Sequence, residues 1–375
     1  MNVRVPAEAF PPGQFIKEEL ADRGWVQADL ADILGRDEMV VSDLVNARRR
    51  VTPELAQGLS AAFGTSPQFW LNLEAAYQLS LLADRDDSAA RRARLWSKAP
   101  IREMIKRNWI APSDNVAVLE RRVLDFFEIA TLDEEVVFRG YAARKSTPYE
   151  VTTPAQAAWL FRAKKLARAV FAEAFSRAKL DAAIAKLRAL VQHASEIRHV
   201  PKILAEAGVR FLIIEPLPQS RMDGATIWLD EDSPVIALTM RFDRIDYFWH
   251  TLWHEIYHVR EGHDAVDVDT WAERSRDDDD RPPSEVAADS FAAGTLILPE
   301  ELDNFVTRMH PIYPKAKIRA FAVRVGVEPG IVVGQLQYRG YIDYASDREM
   351  LTKVRGIISQ SALTDGWGSI VPAGL

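Results

Sequence analysis

The chain of 375 residues contains no cysteine. Disulfide bonds and thiolate metal ligands are therefore excluded, and a metal site would have to use histidine, aspartate or glutamate. No apolar run reaches the roughly 18 residues that a membrane-spanning helix needs. The opening residues, MNVRVPAEAFPPG, also lack the apolar segment of a secretory signal. These absences predict a cytoplasmic protein with no membrane partner.

Positive charge is in the minority. The 47 Lys and Arg residues are outnumbered by 54 Asp and Glu residues, which gives a formal net charge of -7. This balance argues against a generally basic nucleic-acid-binding protein, although a local basic patch stays open. The chain is longer than one typical domain, and its 48% hydrophobic content can fill more than one core.

The first 80 residues have the pattern of short helices joined by tight turns. Thr52 before Pro53 and Ser66 before Pro67 are helix-start signals, and Gly24, Gly35 and Gly64 stand where helices should end. Five compact helices in this order are typical of a helix-turn-helix domain.

The rest of the chain changes pattern twice. A charged stretch, ADRDDSAARRARLWSKAP, marks a boundary, and a mostly helical region follows it. From Gly208 the runs VRFLIIEPL, GATIWLD and PVIALTM predict three strands of a small sheet. Further helices follow, with an acidic loop, ERSRDDDDRPP, at 273–283.

We therefore predict an α+β fold that is mainly α. A five-helix helix-turn-helix domain comes first, followed by a helical connecting region. A domain with a small three-stranded sheet and a histidine-rich helix comes next, and a helical extension ends the chain. The predicted boundaries are 1–82, 83–200, 201–310 and 311–375.

The segment FWHTLWHEIYHVREGHD, residues 248–264, contains four of the seven histidines. His254, Glu255 and His258 form an H-E-x-x-H motif, and positions four apart lie on one face of a helix, so both imidazoles can reach one ion. Glu255 can act as the general base that takes a proton from an activated water. The alternative is a pair of hydrogen-bonded core histidines, but burying them without partners is costly. The motif favours Zn²⁺, and another divalent metal remains open.

A catalytic zinc site needs a third protein ligand and an open position. We assign Glu285, at the start of the helix after the acidic loop, as that ligand. Asp289, one turn later, is a candidate acceptor that would fix the tautomer of a ligand histidine. The alternative for Glu285 is a first-turn carboxylate that the helix dipole favours.

Three further side chains are accessory candidates. His250 lies one turn before His254. It is a candidate for an alternative ligand or for a hydrogen-bond partner of a ligand, and the further alternative is a packed or substrate-side histidine. His263 and Tyr257 are candidates for stabilising an oxyanion, with surface and packing roles as the alternatives.

The histidine helix and the following segment SEVAADSFAAGTLILP resemble the ImmA/IrrE family of metallopeptidases. In that family the H-E-x-x-H helix is followed by a pattern close to E-x-x-A-(N/D)-x-F-A-x-x-L-x-x-P. The match covers residues of about 200 to 310. The resemblance implies a zincin-like metallopeptidase domain with His254, His258 and Glu285 as zinc ligands and Glu255 as the base. It also implies cleavage of a partner protein, often a repressor.

Residues of about 10 to 80 resemble HigA-type antitoxins of the Xre-like helix-turn-helix class. The similarity lies in PPG near the start and in RRRVTPELAQGLSAAFGTSPQFWLNLEAAY. The resemblance implies operator DNA as a partner, a homodimer and a neighbouring toxin.

The recognition segment, GRDEMVVSDLVNARRR, mixes both charges. Asp37, Glu38 and Asp43 would repel phosphate, and Ala47 stands where a glycine is common. The candidate DNA contacts carry hydrogen-bond donors for bases or phosphates; they are Gln27, Arg36, Ser42, Asn46, Arg48, Arg49 and Arg50. DNA binding could be narrow in sequence, weak or lost, with the module kept for dimerisation.

Three hypotheses follow from the sequence. The first is a zinc-dependent endopeptidase coupled to a DNA-binding domain, which cleaves a repressor or antitoxin-like protein. The second is a HigA-like antitoxin and repressor that binds operator DNA, in which the metal domain is a sensor or a structural unit. A toxin-neutralising interaction protein is a third reading.

Overall fold

The computed structural model describes residues 10–82, 88–136, 138, 153–263, 265–268 and 282–365. These residues fall into two compact units, Met1–Arg91 and Arg92–Leu375. Most of the predicted acidic loop lies outside the described residues. Within the described ranges no helix combines the length and apolarity needed to cross a membrane.

The described residues of the N-terminal unit contain the five predicted helices and the start of a sixth, and the five have the predicted helix-turn-helix-like fold. Their bounds are α1 (Pro12–Arg23), α2 (Gln27–Leu34), α3 (Glu38–Val45), α4 (Pro53–Phe63) and α5 (Pro67–Leu82). The hydroxyl of Thr52 accepts a hydrogen bond from the Leu55 amide, so Thr52 is the predicted N-cap of α4. The core contains the fully buried side chains of Ile16, Leu30, Val41, Leu59 and Trp70.

Two backbone positions fix the end of α3. A Cβ atom at Gly13 would lie 2.4 Å from the carbonyl oxygen of Val45, so only glycine lets α1 approach α3 this closely. Ala47 has φ 55, in the left-handed region that favours glycine. The alanine noted in the recognition segment therefore sits in a conformation that strains its Cβ.

In its described residues the C-terminal unit contains twelve α-helices, counting α6, which spans the division between the units. The helices are α6 (Ser88–Lys98), α7 (Ile101–Lys106), α8 (Val116–Phe127), α9 (Pro154–Ala167), α10 (Arg177–Leu190), α11 (Val200–Glu206), α12 (Ile245–Glu261), α13 (Pro283–Leu296), α14 (Pro299–Met309), α15 (Lys315–Val325), α16 (Pro329–Tyr338) and α17 (Arg355–Ile358). Two 3-10 helices, Ala194–His199 and Arg348–Met350, complete this helical part in the described residues.

The sheet of this unit has five strands in the described residues, in the order β4-β2-β3-β1-β5. They are β1 (Arg210–Ile213), β2 (Met222–Trp228), β3 (Pro234–Leu238), β4 (Ala265–Val268) and β5 (Leu363–Thr364). β1 runs parallel to β3 and β5, while β2 is antiparallel to β3 and β4. The three predicted strands are present as β1, β2 and β3, whereas β4 and β5 were not predicted. β4 contains an aspartate and β5 has two residues, so neither forms an apolar run that the sequence pattern could show.

Both faces of the sheet are covered by helices. Alternate residues of one strand are buried in different cores. Phe211 and Ile213 of β1 lie in the core formed with α12, and Leu212 lies in the core formed with α8 and α9. Because both faces of the sheet are buried, the strand sequences are nearly continuous apolar runs. α12 packs against β2, β3, α13 and α16. The histidine helix is thus an internal element of the unit.

Candidate metal centre

Helix α12 is held in place by large apolar side chains. Phe248, Trp249 and Trp253 are almost completely buried, and each such side chain stabilises the fold by roughly 1.5–3 kcal/mol or more. The helix ends at Gly262, whose φ of 72 lets its amide hydrogen-bond back to the helix. The apolar faces therefore fix the direction in which the remaining, polar face presents its histidines.

The ligand-type atoms of three predicted site residues lie together. Nε2 of His254 is 3.2 Å from Nε2 of His258. Oε2 of Glu285 is 3.1 Å from the first of these nitrogens, and Oε1 is 3.4 Å from the second. A tetrahedral zinc with ligands at about 2.0–2.1 Å holds neighbouring ligand atoms about 3.3 Å apart. The types of these ligand atoms and their spacing therefore fit a zinc ion. Among the described residues, His254, His258 and Glu285 are close enough together to hold one metal ion.

Asp289 accepts a hydrogen bond at 2.9 Å from Nδ1 of His254. With its proton on Nδ1, the His254 ring turns the lone pair of Nε2 toward His258 and Glu285. Lone pairs and a carboxylate that face one another repel unless a cation lies between them. Asp289 thus has the position that the sequence predicted for it.

His258 is fully buried, with 0% of its surface exposed. Burial lowers its pKa to about 4, against the opposing effect of the nearby Glu285 carboxylate. The imidazole is therefore neutral at physiological pH, which is the form that binds a metal. Nδ1 of His258 lies 3.4 Å from Nδ1 of His263, on the ring edge away from Nε2.

The side chain of Glu255 points to β2. The Thr226 hydroxyl donates to Oε2 of Glu255 at 2.7 Å, and the Glu255 carboxylate is completely buried. A Cβ atom at Gly224 would lie 2.8 Å from Oε1 of Glu255. Thr226 and Gly224 escaped the sequence analysis, although a glycine inside a strand is a known sign of close approach.

The three accessory candidates lie around this group. His250 is buried one turn earlier on α12 and is not one of the three clustered ligand residues. The ring of Tyr257 lies 5.8 Å from that of His258 and 6.5 Å from that of His263. Trp228 donates to the carbonyl oxygen of His263 at 3.1 Å, which anchors the chain just after α12.

The candidate DNA contacts are on the surface of the N-terminal unit. Gln27 and Ser42 are half-buried at the start of α2 and on α3. Asn46 donates to the carbonyl oxygen of Ser42 at 2.8 Å, which ends α3. The four arginines are exposed, one in the turn before α3 and three after it: Arg36, Arg48, Arg49 and Arg50. The segment therefore presents both arginines and carboxylates to the solvent.

Comparisons with known proteins find relatives of the N-terminal region, about 20% of the chain. The virulence-associated protein A' of Dichelobacter nodosus is 35% identical over 75 residues, which are 20% of this chain and 65% of that protein. An uncharacterized helix-turn-helix type transcriptional regulator of Haemophilus influenzae is 38% identical over 63 residues, 16% of this chain and 59% of its own length. The similar regulator YddM of Escherichia coli K12 is 35% identical over 69 residues, 18% of this chain and 73% of YddM.

Two solved structures match the same share of the chain. An addiction module antidote protein of a HigA family from Coxiella burnetii is 33% identical and covers 20% of this chain and 83% of its own, with a TM-score of 0.20. The antitoxin GraA is also 33% identical, over 20% of this chain and 82% of its own, with a TM-score of 0.20. No family model matches the chain.

Proposed function

We propose that this protein is a DNA-binding regulator, on the premise that the chain belongs, through its N-terminal region, to the helix-turn-helix type transcriptional regulators. The observation that carries this proposal is the 35% identity to YddM over 73% of that regulator. Helix α3 is the recognition helix, and the arginines after it contact phosphates. Because acidic side chains share this surface, we expect binding that is narrow in sequence and sensitive to salt.

The test is selection of bound sequences from a random DNA pool, followed by titration at several salt concentrations. Arg48→Ala should weaken binding and reduce the salt slope by about one. Lys17→Ala changes another exposed cation, on α1, and should leave both values unchanged. A pool from which no sequence is enriched would contradict the proposal.

A second function is proposed for the C-terminal unit, because the His254, His258 and Glu285 ligand atoms lie 3.1–3.4 Å apart. We propose a metal-dependent endopeptidase of the ImmA/IrrE type, in which these three residues hold Zn²⁺ or another divalent metal. The bound ion would supply Lewis-acid activation of water and of the peptide carbonyl.

Residues of the chain would orient the metal ligands and accept the proton from water. Asp289 orients the His254 ring, and burial keeps His258 neutral. The Glu255 carboxylate accepts a proton, and the hydroxyl of Thr226 holds its Oε2 in place. We propose a protein substrate, such as a repressor or antitoxin-like protein. A toxin partner and a homodimer belong to the same proposal, through the antitoxin-like N-terminal unit.

This second function is tested in two measurements. Elemental analysis should find one zinc per purified chain. Labelling of protein N-termini in cells should find new termini with the unmodified protein and none with Glu255→Gln, which should keep its zinc. Glu261→Gln, an exposed change at the end of the same helix, is the matched control. Metal-free protein and identical termini in all samples would refute the peptidase.

A further inference from the structure

Helix α3, the proposed recognition helix, exposes one face to the solvent. Its other face is held against the core of the N-terminal unit by buried aliphatic side chains. Positions three or four apart lie on one face of a helix. On the exposed and half-exposed face of α3 and its C-cap, the side chains at this spacing are Glu38, Met39, Ser42, Asp43 and Asn46. We refer to these five residues as the α3 stripe, which contains no lysine or arginine.

Met39 gives the α3 stripe an apolar contact. Among the described residues of the N-terminal unit it is the large apolar side chain with the greatest exposed fraction, 74%. It lies in the first turn of α3, the part of a recognition helix that contacts base edges in the major groove. The C5 methyl group of thymine is the apolar group on those edges, and apolar side chains contact it. Met39 is therefore suited to a thymine.

Glu38 gives the stripe an unpaired acceptor. Its side chain is exposed, and no hydrogen bond or salt bridge joins its carboxylate to another described residue. An ionised carboxylate only accepts hydrogen bonds, and DNA phosphates repel it. Cytosine presents its N4 amino donor without a neighbouring acceptor, whereas adenine places the acceptor N7 beside its amino group. The Glu38 carboxylate therefore matches cytosine better than adenine.

The usual contacts to purines are weakly supported by the stripe. Guanine presents two acceptors, which arginine or lysine usually reads, and the stripe has neither residue. Adenine is usually read by both ends of an asparagine or glutamine amide. The Nδ2 group of Asn46 already donates to the carbonyl oxygen of Ser42 at 2.8 Å. The strand that α3 reads should therefore be pyrimidine at the contacted positions.

Exposed arginines flank the stripe, with Arg36 before α3 and Arg48 after it. Eight residues at about 1.5 Å each give α3 a length of about 12 Å, which is close to the width of the major groove. Arginines at the two ends of such a helix can contact phosphates while the residues between them face the bases. The positive charge thus fixes the position of the helix, and the stripe selects the sequence.

We infer that Met39 reads a thymine and Glu38 reads a neighbouring cytosine, so the operator of this protein carries adjacent T and C on one strand. This readout rests on the proposed DNA binding and gives it a class of target sequence. A site without the cytosine leaves the carboxylate unpaired among phosphates, so Glu38 also rejects other sequences.

Selection from a random DNA pool with the full chain tests the cytosine. The unmodified protein should enrich sequences that contain the adjacent T and C. Glu38→Gln should replace the cytosine by adenine, because an amide can donate to N7 and accept from the N6 amino group. Glu18→Gln, the same change on the exposed side of α1, should keep the cytosine.

Deoxyuridine in place of the operator thymine tests the methyl contact. It removes only the C5 methyl group and should weaken the unmodified protein about four-fold, the factor expected for one buried CH₂-sized group. Met39→Ala should bind both operators equally. Leu79→Ala on α5, where 67% of the side chain is exposed, should keep the four-fold difference.

The outcomes separate this readout from DNA binding itself. An enriched operator that Glu38→Gln leaves unchanged, or that binds equally with deoxyuridine, overturns the readout while the proposed regulator stands. A pool from which no sequence is enriched overturns both. A change from cytosine to adenine with Glu38→Gln, together with a deoxyuridine effect that Met39→Ala abolishes, supports the readout.

Discussion

In the N-terminal unit the candidate contacts follow one another along residues 27–50, on α2, α3 and the turns beside them. In the C-terminal unit the metal-type ligands come from two helices, and His254 and Glu285 are 31 positions apart. Relatives are found for the first unit, and no family model matches the chain. The first surface is contiguous in sequence, whereas the second combines two separate motifs whose proximity only the structure shows.

The largest expected effect is a loss of zinc affinity in one unit that leaves DNA binding by the other unit unchanged. His254→Ala removes one of the three proposed metal ligands, so zinc affinity should fall by more than the about 100-fold expected for loss of an outer hydrogen-bond partner. Operator binding should stay within about two-fold, since the change lies in the other unit. Zinc competition and DNA titration on the same preparation measure both. A parallel loss of DNA binding would show that the units do not act independently.

Asp289→Asn should have the next largest effect. The amide is nearly the same size but lacks the charge that holds the His254 Nδ1 proton, so zinc affinity should fall about 10–100-fold. Zinc competition measures it, with Glu300→Gln on the surface of α14 as the control. Unchanged affinity would mean that Asp289 does not orient the ligand.

Gly224→Ala probes Glu255 without changing a ligand. The added Cβ would meet Oε1 of Glu255 at 2.8 Å and Leu238 at 3.0 Å, so the carboxylate must shift. We expect the proposed peptide cleavage to fall about ten-fold or more, since small displacements of a catalytic group are costly and Glu255 is the proposed base. Zinc content should stay the same. Equal losses of zinc and cleavage would point to general unfolding.

The smallest effect concerns the N-terminal unit. Ala47→Gly relieves a left-handed residue at φ 55 and should stabilise this unit by about 1 kcal/mol. Gly64→Ala, at φ 71 after α4, should change stability in the opposite direction. Thermal unfolding followed by circular dichroism, with the metal centre kept in one state, measures both. A lower stability of the Ala47→Gly variant would contradict the interpretation that the backbone of Ala47 is strained.

The predictable parts of the molecule are those that a short window of sequence specifies. Apolar spacing, Thr52 and Pro53 predicted the helices of the first unit, and the four-residue spacing of His254 and His258 predicted that both imidazoles lie on one face of a helix. Glu285 was found from its place in a second motif, although only tertiary packing determines its distance from the histidines.

The features that escaped prediction depend on distant parts of the chain. β5 has two residues and exists because it pairs with β1, more than a hundred positions earlier. The contact of Thr226 with Glu255 follows from the packing of α12 against β2. No periodic pattern within a short stretch of sequence predicts such contacts.

The internal position of α12 has a consequence for how the protein matures. The helix contacts two strands of the sheet and two later helices, and Glu285 belongs to one of those helices. The ligand atoms can meet only after contacts that are distant along the chain have formed, and such contacts form slowly. Acquisition of the ion should therefore be a late event in folding. The time course of zinc uptake during refolding would then report completion of the core.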